Sequence, residues 1–167
     1  MSVEIVVIGD THALTFEELP QEMLKAIGRA DYVIHVGDYI SKNVLDGLIR
    51  LKGQQFTGVY GNTDPQAIRK MIPSKQILEI KGKRIGITHP AVGGLEKYTL
   101  KRAMAKFRNK NVDAIIYGHT HEPVIRNQGN IILFNPGKGY LEDGQSASFG
   151  IITIDKEIKS KIQEIGV

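Results

Sequence analysis

The chain has 167 residues, 41% hydrophobic and 24% charged, with 22 Lys and Arg against 18 Asp and Glu. This is ordinary globular composition, and a chain of this size buries roughly 70% of its unfolded surface, so one domain over 1–167 is expected. Without cysteine it has neither disulfides nor thiolate metal sites, it lacks an apolar run near the ~20 residues of a membrane span, and its first apolar run starts too early for a cleavable signal, so we expect a soluble cytoplasmic protein with no membrane partner.

Residues 3–8 form a short β-branched run ending at Gly9, the pattern of a buried strand. Residues 17–30 carry Leu19, Met23, Ala26 and Ile27 at helical spacing. A second strand is expected over 32–36, then a helix capped by Ser41 and carrying Val44, Leu45, Leu48, Ile49 and Leu51. A third strand spans 55–60. Asp64-Pro65 reads as an N-cap followed by proline at the first helical position. Residues 76–80 and 84–88 flank Lys81-Gly82-Lys83 as a hairpin. A helix from Leu95 to about Lys110 follows, then strands over 113–117, 123–127, 131–134 and 148–154. The tail at 157–165 fits two readings: Ile158, Ile162 and Ile165 have helical spacing, while its length and position suggest a hairpin strand. The order βαβαβ, then hairpin, helix and further strands, indicates an α/β core with a large, partly antiparallel second sheet.

Five apolar runs end at residues able to bind metal: Val6-Val7-Ile8-Gly9-Asp10, Ile34-His35-Val36-Gly37-Asp38, Gly58-Val59-Tyr60-Gly61-Asn62, Ile85-Gly86-Ile87-Thr88-His89 and Ile115-Ile116-Tyr117-Gly118-His119. His12 and His121 follow the first and last by two residues. Ligands of open α/β sheets bind beyond the carboxyl ends of the strands, and a glycine before a polar residue lets the chain turn there. Neighbouring strands would therefore gather seven nitrogen and oxygen donors at one edge. Asp10, His12 and His121 can complete one ion's shell, and Asn62, His89 and His119 the other's, with Asp38 as the natural bridge. Two ions ~3.5–4 Å apart clamp a phosphoryl group and make a shared hydroxide the nucleophile near neutral pH. Imidazole and carboxylate donors suit Mn, Ni, Zn, Fe or Co rather than Ca; we expect two divalent ions, with Mn first. The charge of +4 suits an anionic substrate without requiring nucleic acid.

Gly9-Asp10-Thr11-His12, Gly37-Asp38, Gly61-Asn62-Thr63-Asp64, Thr88-His89 and Gly118-His119-Thr120-His121, in this order, resemble the calcineurin-like metallophosphoesterase superfamily. The short chain and Asn135-Pro136-Gly137 are similar to its small bacterial and archaeal phosphodiesterase branch. The resemblance implies a four-layer αββα sandwich with two mixed β-sheets and a dinuclear site. By it, Asp10, His12 and His121 hold the first metal, Asn62, His89 and His119 the second, and Asp38 bridges. We assign the catalytic part to Asp38, Asn62 and His89. Two positions depart from the family. Thr63 stands where members often have a histidine tied to transition-state stabilisation or leaving-group protonation, and Thr is no titrating acid near neutral pH. Pro90 stands where many have glycine, which changes the loop.

The implied activity is hydrolysis of small organic or nucleotide phosphodiesters. The alternatives are a nuclease of the same superfamily and a non-catalytic metal-binding interaction scaffold, such as the retromer subunit that this branch resembles. Nucleic acid is not the favoured partner: the helix carrying Lys97, Lys101, Arg102, Lys106, Arg108 and Lys110 reads as a solvated face without interleaved aromatics. A homodimer is permitted by exposed sheet edges. His35 reads as a buried histidine in or behind the site, Asp64 as a helix cap rather than a site-orienting group, and Lys138 as a loop lysine. Substrate selection is expected from loops near 39–43, 63–70, 90–96 and 136–146.

Overall fold

The computed structural model describes residues 1–91 and 95–166. In chain order the elements are β1 (Val3–Ile8), α1 (Gln21–Arg29), β2 (Tyr32–His35), α2 (Lys42–Lys52), β3 (Phe56–Gly58), α3 (Gln66–Arg69), β4 (Lys75–Ile80), β5 (Lys83–Thr88), α4 (Glu96–Lys106), β6 (Ala114–Tyr117), β7 (Pro123–Gln128), β8 (Ile131–Pro136), β9 (Ala147–Ile154) and β10 (Ile158–Ile165). They make two five-stranded sheets, ordered β10-β9-β1-β2-β3 and β4-β5-β6-β8-β7. Both are mixed. The strands β1, β2 and β3 run parallel, with β9 and β10 antiparallel. In the second sheet β5, β6 and β8 run parallel, flanked by antiparallel β4 and β7.

Three apolar clusters define four layers. Val6 and Ile8 face Met23 and Ile27 of α1 and Val44, Leu45 and Leu48 of α2. Ile5 and Val7, on the opposite face, join Ile85, Ile87, Ile116 and Phe134 between the sheets. Leu100, Ala103 and Phe107 pack against Ile115, Tyr117 and Leu133 outside the second sheet. Strand β1 is apolar on both faces because both are covered, and so its sequence does not alternate. The result is the expected αββα sandwich. Among the described residues, no helix is long and apolar enough to cross a membrane.

Four local expectations shift. The helix expected over 17–30 is a 3-10 turn at Phe16–Glu18 followed by α1, with Pro20 as its N-cap; the pyrrolidine ring has no N–H to continue the first turn. The strand over 55–60 shortens to β3, and the helix expected to run to about Lys110 ends at Lys106. The tail is a strand, paired with β9 along its length. Asp64 is not the cap of α3: Pro65 holds that position, with no side-chain cap bond. Ser41 does cap α2, accepting from the Asn43 N–H at 3.2 Å, and the β4–β5 turn places Lys81 and Gly82 at φ 51° and 76°, as a tight two-residue hairpin requires.

Candidate metal centre

The loops after β1, β2, β3, β5 and β6 carry the seven predicted donors. Asp10, His12, Asp38, His119 and His121 have positive φ of 46°, 44°, 63°, 107° and 67°. Such angles are uncommon for residues with a Cβ and gather at functional sites, where surrounding structure holds them. Most of the turning is thus done by the donors themselves. Gly61 serves clearance instead: a Cβ there would strike the Asp38 carboxylate. Gly37 combines both needs, with φ 106° and only 2.7 Å from its Cβ position to His89 Nδ1.

The donors converge in two overlapping groups. Asp10, His12 and His121 offer atoms within 4.8 Å of one another, as do Asp10, Asp38 and His89. His121 Nε2 lies 3.4 Å from Asp10 Oδ1. Asp38 Oδ2 stands between His89 Nε2 at 3.3 Å and His12 Nε2 at 3.7 Å. Asn62 Oδ1 lies 3.0 Å from His89 Nε2 and 3.2 Å from His119 Nδ1. All seven predicted residues therefore meet at one place. Asp10 belongs to both groups, and Asp38 Oδ2 links His89 of one to His12 of the other.

The chemistry of this donor set fits divalent cations. His89 Nδ1 donates to the Val36 carbonyl at 2.9 Å, which leaves Nε2 of the neutral ring with a lone pair aimed at Asp38 and Asn62. Lone pairs that face one another repel unless a proton or metal lies between them. Asp10 Oδ1 and His12 Nε2 are buried without a hydrogen-bond partner among the described residues, a costly arrangement that coordination would relieve. The ion pairs of Asp10 and Asp38 among the described residues are with histidines, not with lysine or arginine.

Burial alone would raise the Asp38 carboxyl pKa, but His12, His89 and the Thr63 amide together hold it below the ordinary carboxylate range. Burial works the other way on His89, and Asp38, Asp10 and Val36 outweigh it, so its pKa is raised. That of His121 is raised chiefly by Asp10. Both imidazoles thus face carboxylate oxygens that favour a positive charge beside them.

Asp64 proves to be a site-building residue. Its carboxylate accepts the backbone N–H groups of Gly61 at 2.8 Å, Asp38 at 2.9 Å and Ile40 at 2.8 Å. Arg69 adds a staple, donating to the Asp64 carbonyl at 2.8 Å and the Asn62 carbonyl at 3.0 Å while lying over the Tyr60 ring. The Thr63 N–H donates to Asp38 Oδ1 at 3.0 Å, and its side chain is exposed. His35 is buried behind the site: Nδ1 accepts from Gly37 N–H, and Nε2 lies 2.9 Å from Thr11 Oγ1. Burial pushes its pKa well below the ordinary value, which keeps it neutral. Lys138 is no free loop lysine, since its ammonium is held by Glu142 at 2.7 Å and Gln145 at 2.6 Å.

Arg69 and Tyr140 escaped the sequence reading. Arg69 had only its place in the helix after Asp64-Pro65 as a signal. Tyr140, whose ring stacks on His12, lies in the loop expected near 136–146 but carries no motif of its own. Of the selection loop expected over 90–96, residues 92–94 lie outside the described ones. An open groove of about 1410 Å³ lies beside α4, lined by Leu100, Met104, Phe107 and Ile131 with Lys101 and Arg108. None of the seven donors lines it.

The calcineurin-like phosphoesterase superfamily domain matches residues 3–157. The chain is 33% identical to a probable metallophosphoesterase of Methanocaldococcus jannaschii over 95% of this chain and 79% of that one. It is 29% identical to a phosphodiesterase of the same organism, over 93% and 95% of the two chains. The Zn-complexed Vps29 of Entamoeba histolytica has a similar fold, with a TM-score of 0.69 at 22% identity over 96% of this chain and 98% of that one. Seven convergent donors on this sandwich, and a match across nearly the whole sequence, place the chain in the calcineurin-like phosphoesterase superfamily.

Proposed function

We propose that the chain is one metallophosphoesterase domain that hydrolyses small organic or nucleotide phosphodiesters at a dinuclear centre in the cytoplasm. The observation that carries this reading is the convergence of electron-pair donors around Asp38 Oδ2, with histidine nitrogens at 3.3 and 3.7 Å. Asp10, His12 and His121 would hold the first ion and Asn62, His89 and His119 the second, with Asp38 serving both. When bound, two divalent ions, Mn first among Ni, Zn, Fe and Co, supply Lewis-acid polarisation of phosphoryl oxygens and an acidic water as nucleophile. The rest falls to the chain. His89, fixed by its bond to Val36, presents Nε2 in one orientation. Asp64 and Arg69 keep Asp38 and Asn62 from moving apart. The Thr63 side chain offers no acid to the departing alkoxide. The phosphodiesterase name of the Methanocaldococcus relative supports a diester substrate.

Replacing Asp38 by Ala tests this. Loss of tight metal binding and of diester turnover, with the fold retained by circular dichroism, supports the reading. Unchanged turnover refutes it. A second reading, a metal-binding interaction scaffold, draws on the open groove beside α4, a surface unrelated to the donors. Turnover that disappears in Asp38→Ala would count against it.

A further inference from the structure

We infer that Tyr140 is a positioning residue that sets the ring orientation of His12, and hence the affinity of the first metal. The inference rests on the dinuclear reading above. Histidines that ligate metals are usually oriented by a hydrogen bond from the other ring nitrogen. His89 follows that pattern through Val36. The His12 ring is held differently: Tyr140 stacks on it with centroids 5.0 Å apart and planes 26° apart, and His121 meets it edge-on at 5.3 Å. Tyr140 also meets His121 edge-on at 6.0 Å. One phenol ring therefore touches both imidazoles of the first group.

Tyr140 is itself fixed. The two residues before it are tied by their amides to the loops that carry the donors: Lys138 N–H donates to the His121 carbonyl at 3.3 Å, and Gly139 N–H to the Asp10 carbonyl at 3.1 Å. The Lys138 ammonium lies 4.8 Å from the Tyr140 ring centroid, and Glu142 and Gln145 anchor it there. Cation–π attraction and ring stacking are each modest. Acting on a ligand at an unfavourable φ of 44°, they select one ring orientation among several. The ring face does this work, so the hydroxyl is dispensable and phenylalanine should substitute.

The test is calorimetric titration of the metal-stripped full chain with Mn²⁺, comparing wild type, Tyr140→Phe, Tyr140→Ala and His12→Ala. His12→Ala identifies the binding event at the first group. Tyr140→Ala should weaken that event by about 10- to 100-fold, the range for loss of an orienting partner, and leave the other event unchanged. Tyr140→Phe should match wild type within about threefold. Equal weakening of both events, or no weakening in Tyr140→Ala, overturns the inference. So does Tyr140→Phe behaving like Tyr140→Ala, which would assign the effect to the hydroxyl. If wild type shows no event that His12→Ala removes, the dinuclear reading fails and this inference falls with it. That outcome is recognised in the wild-type titration alone.

Discussion

Asp64 Oδ2 accepts the backbone N–H of Asp38 at 2.9 Å, across 26 residues of sequence. The same carboxylate takes the amides of Gly61 and Ile40, so one buried side chain closes the loops after β2 and β3 against each other. Asp38 and Asn62 stand on those two loops. Asp64→Ala would leave three amides without their acceptor. Bonds to a charged partner are worth about 1.5–3 kcal/mol each, and water recovers part of that. We expect a loss of about 3 kcal/mol in urea denaturation, together with weaker binding of metal at Asn62. Asp64→Asn, with one acceptor oxygen, should fall between. An Asp64→Ala chain as stable as wild type would contradict this role.

The reading of Asp64 as a helix cap shows what the sequence could not reveal. Asp-Pro before a helix has a local explanation, and the competing one depended on two loops meeting in space. The donor loops were legible for the opposite reason: each donor lies at or just after an apolar run, and parallel strands deliver their carboxyl ends to one edge of their sheet; that the edges of two sheets, β1-β2-β3 and β5-β6, meet at the site was not legible. The tail was ambiguous because its isoleucines have helical spacing while its length and position suggest a hairpin strand. Ile158 and Ile162 share one strand face and pack between the sheets, while Ile165, an odd number of residues further on, packs on the helix side. Tyr140 was invisible because its partner His12 lies far away in sequence and no motif links them.

Acidity should act in opposite senses on the metal-free and metal-loaded chain. His89 and His121 have raised pKa values in the metal-free fold. Their charged forms then add stability that is fully present below the unfolded value of about 6.5 and is lost as pH rises through the raised folded values. With metal, the same rings must be neutral to coordinate, so binding improves as pH rises. Thermal melts from pH 5.5 to 8.5, with chelator or saturating Mn²⁺, should give a metal-induced increase in Tm that grows with pH. An increase independent of pH would exclude these histidines as ligands.

Thr63 leaves the departing group without a titrating acid at that position. Turnover should therefore depend steeply on leaving-group pKa, with aryl diesters far ahead of alkyl diesters. Thr63→His should raise alkyl turnover more than aryl turnover and flatten the slope. Measuring kcat/KM across a series of substituted phenyl and alkyl diesters checks both points. A flat wild-type series would show that protonation is supplied elsewhere.

Asp38→Ala removes the carboxylate whose Oδ2 lies between His89 of one donor group and His12 of the other. Loss of an orienting partner costs about 10- to 100-fold, and loss of a carboxylate that serves as the proposed bridge should exceed that in kcat/KM. Asp38→Asn keeps the shape and one oxygen but removes the charge, so it should retain the fold and remain impaired. Steady-state kinetics alongside metal analysis separates the two effects. Near-normal activity in Asp38→Asn would mean that the charge is not required.

The most direct test of the central claim is hydrolysis of an activated aryl phosphodiester by metal-stripped protein, with Mn, Ni, Zn, Co or Mg restored singly and the matching phosphomonoester run alongside. We expect no turnover after stripping, recovery with a transition metal, Mn first, and preference for the diester. Two bound ions with no turnover of either ester under any metal would contradict the account and favour the scaffold reading.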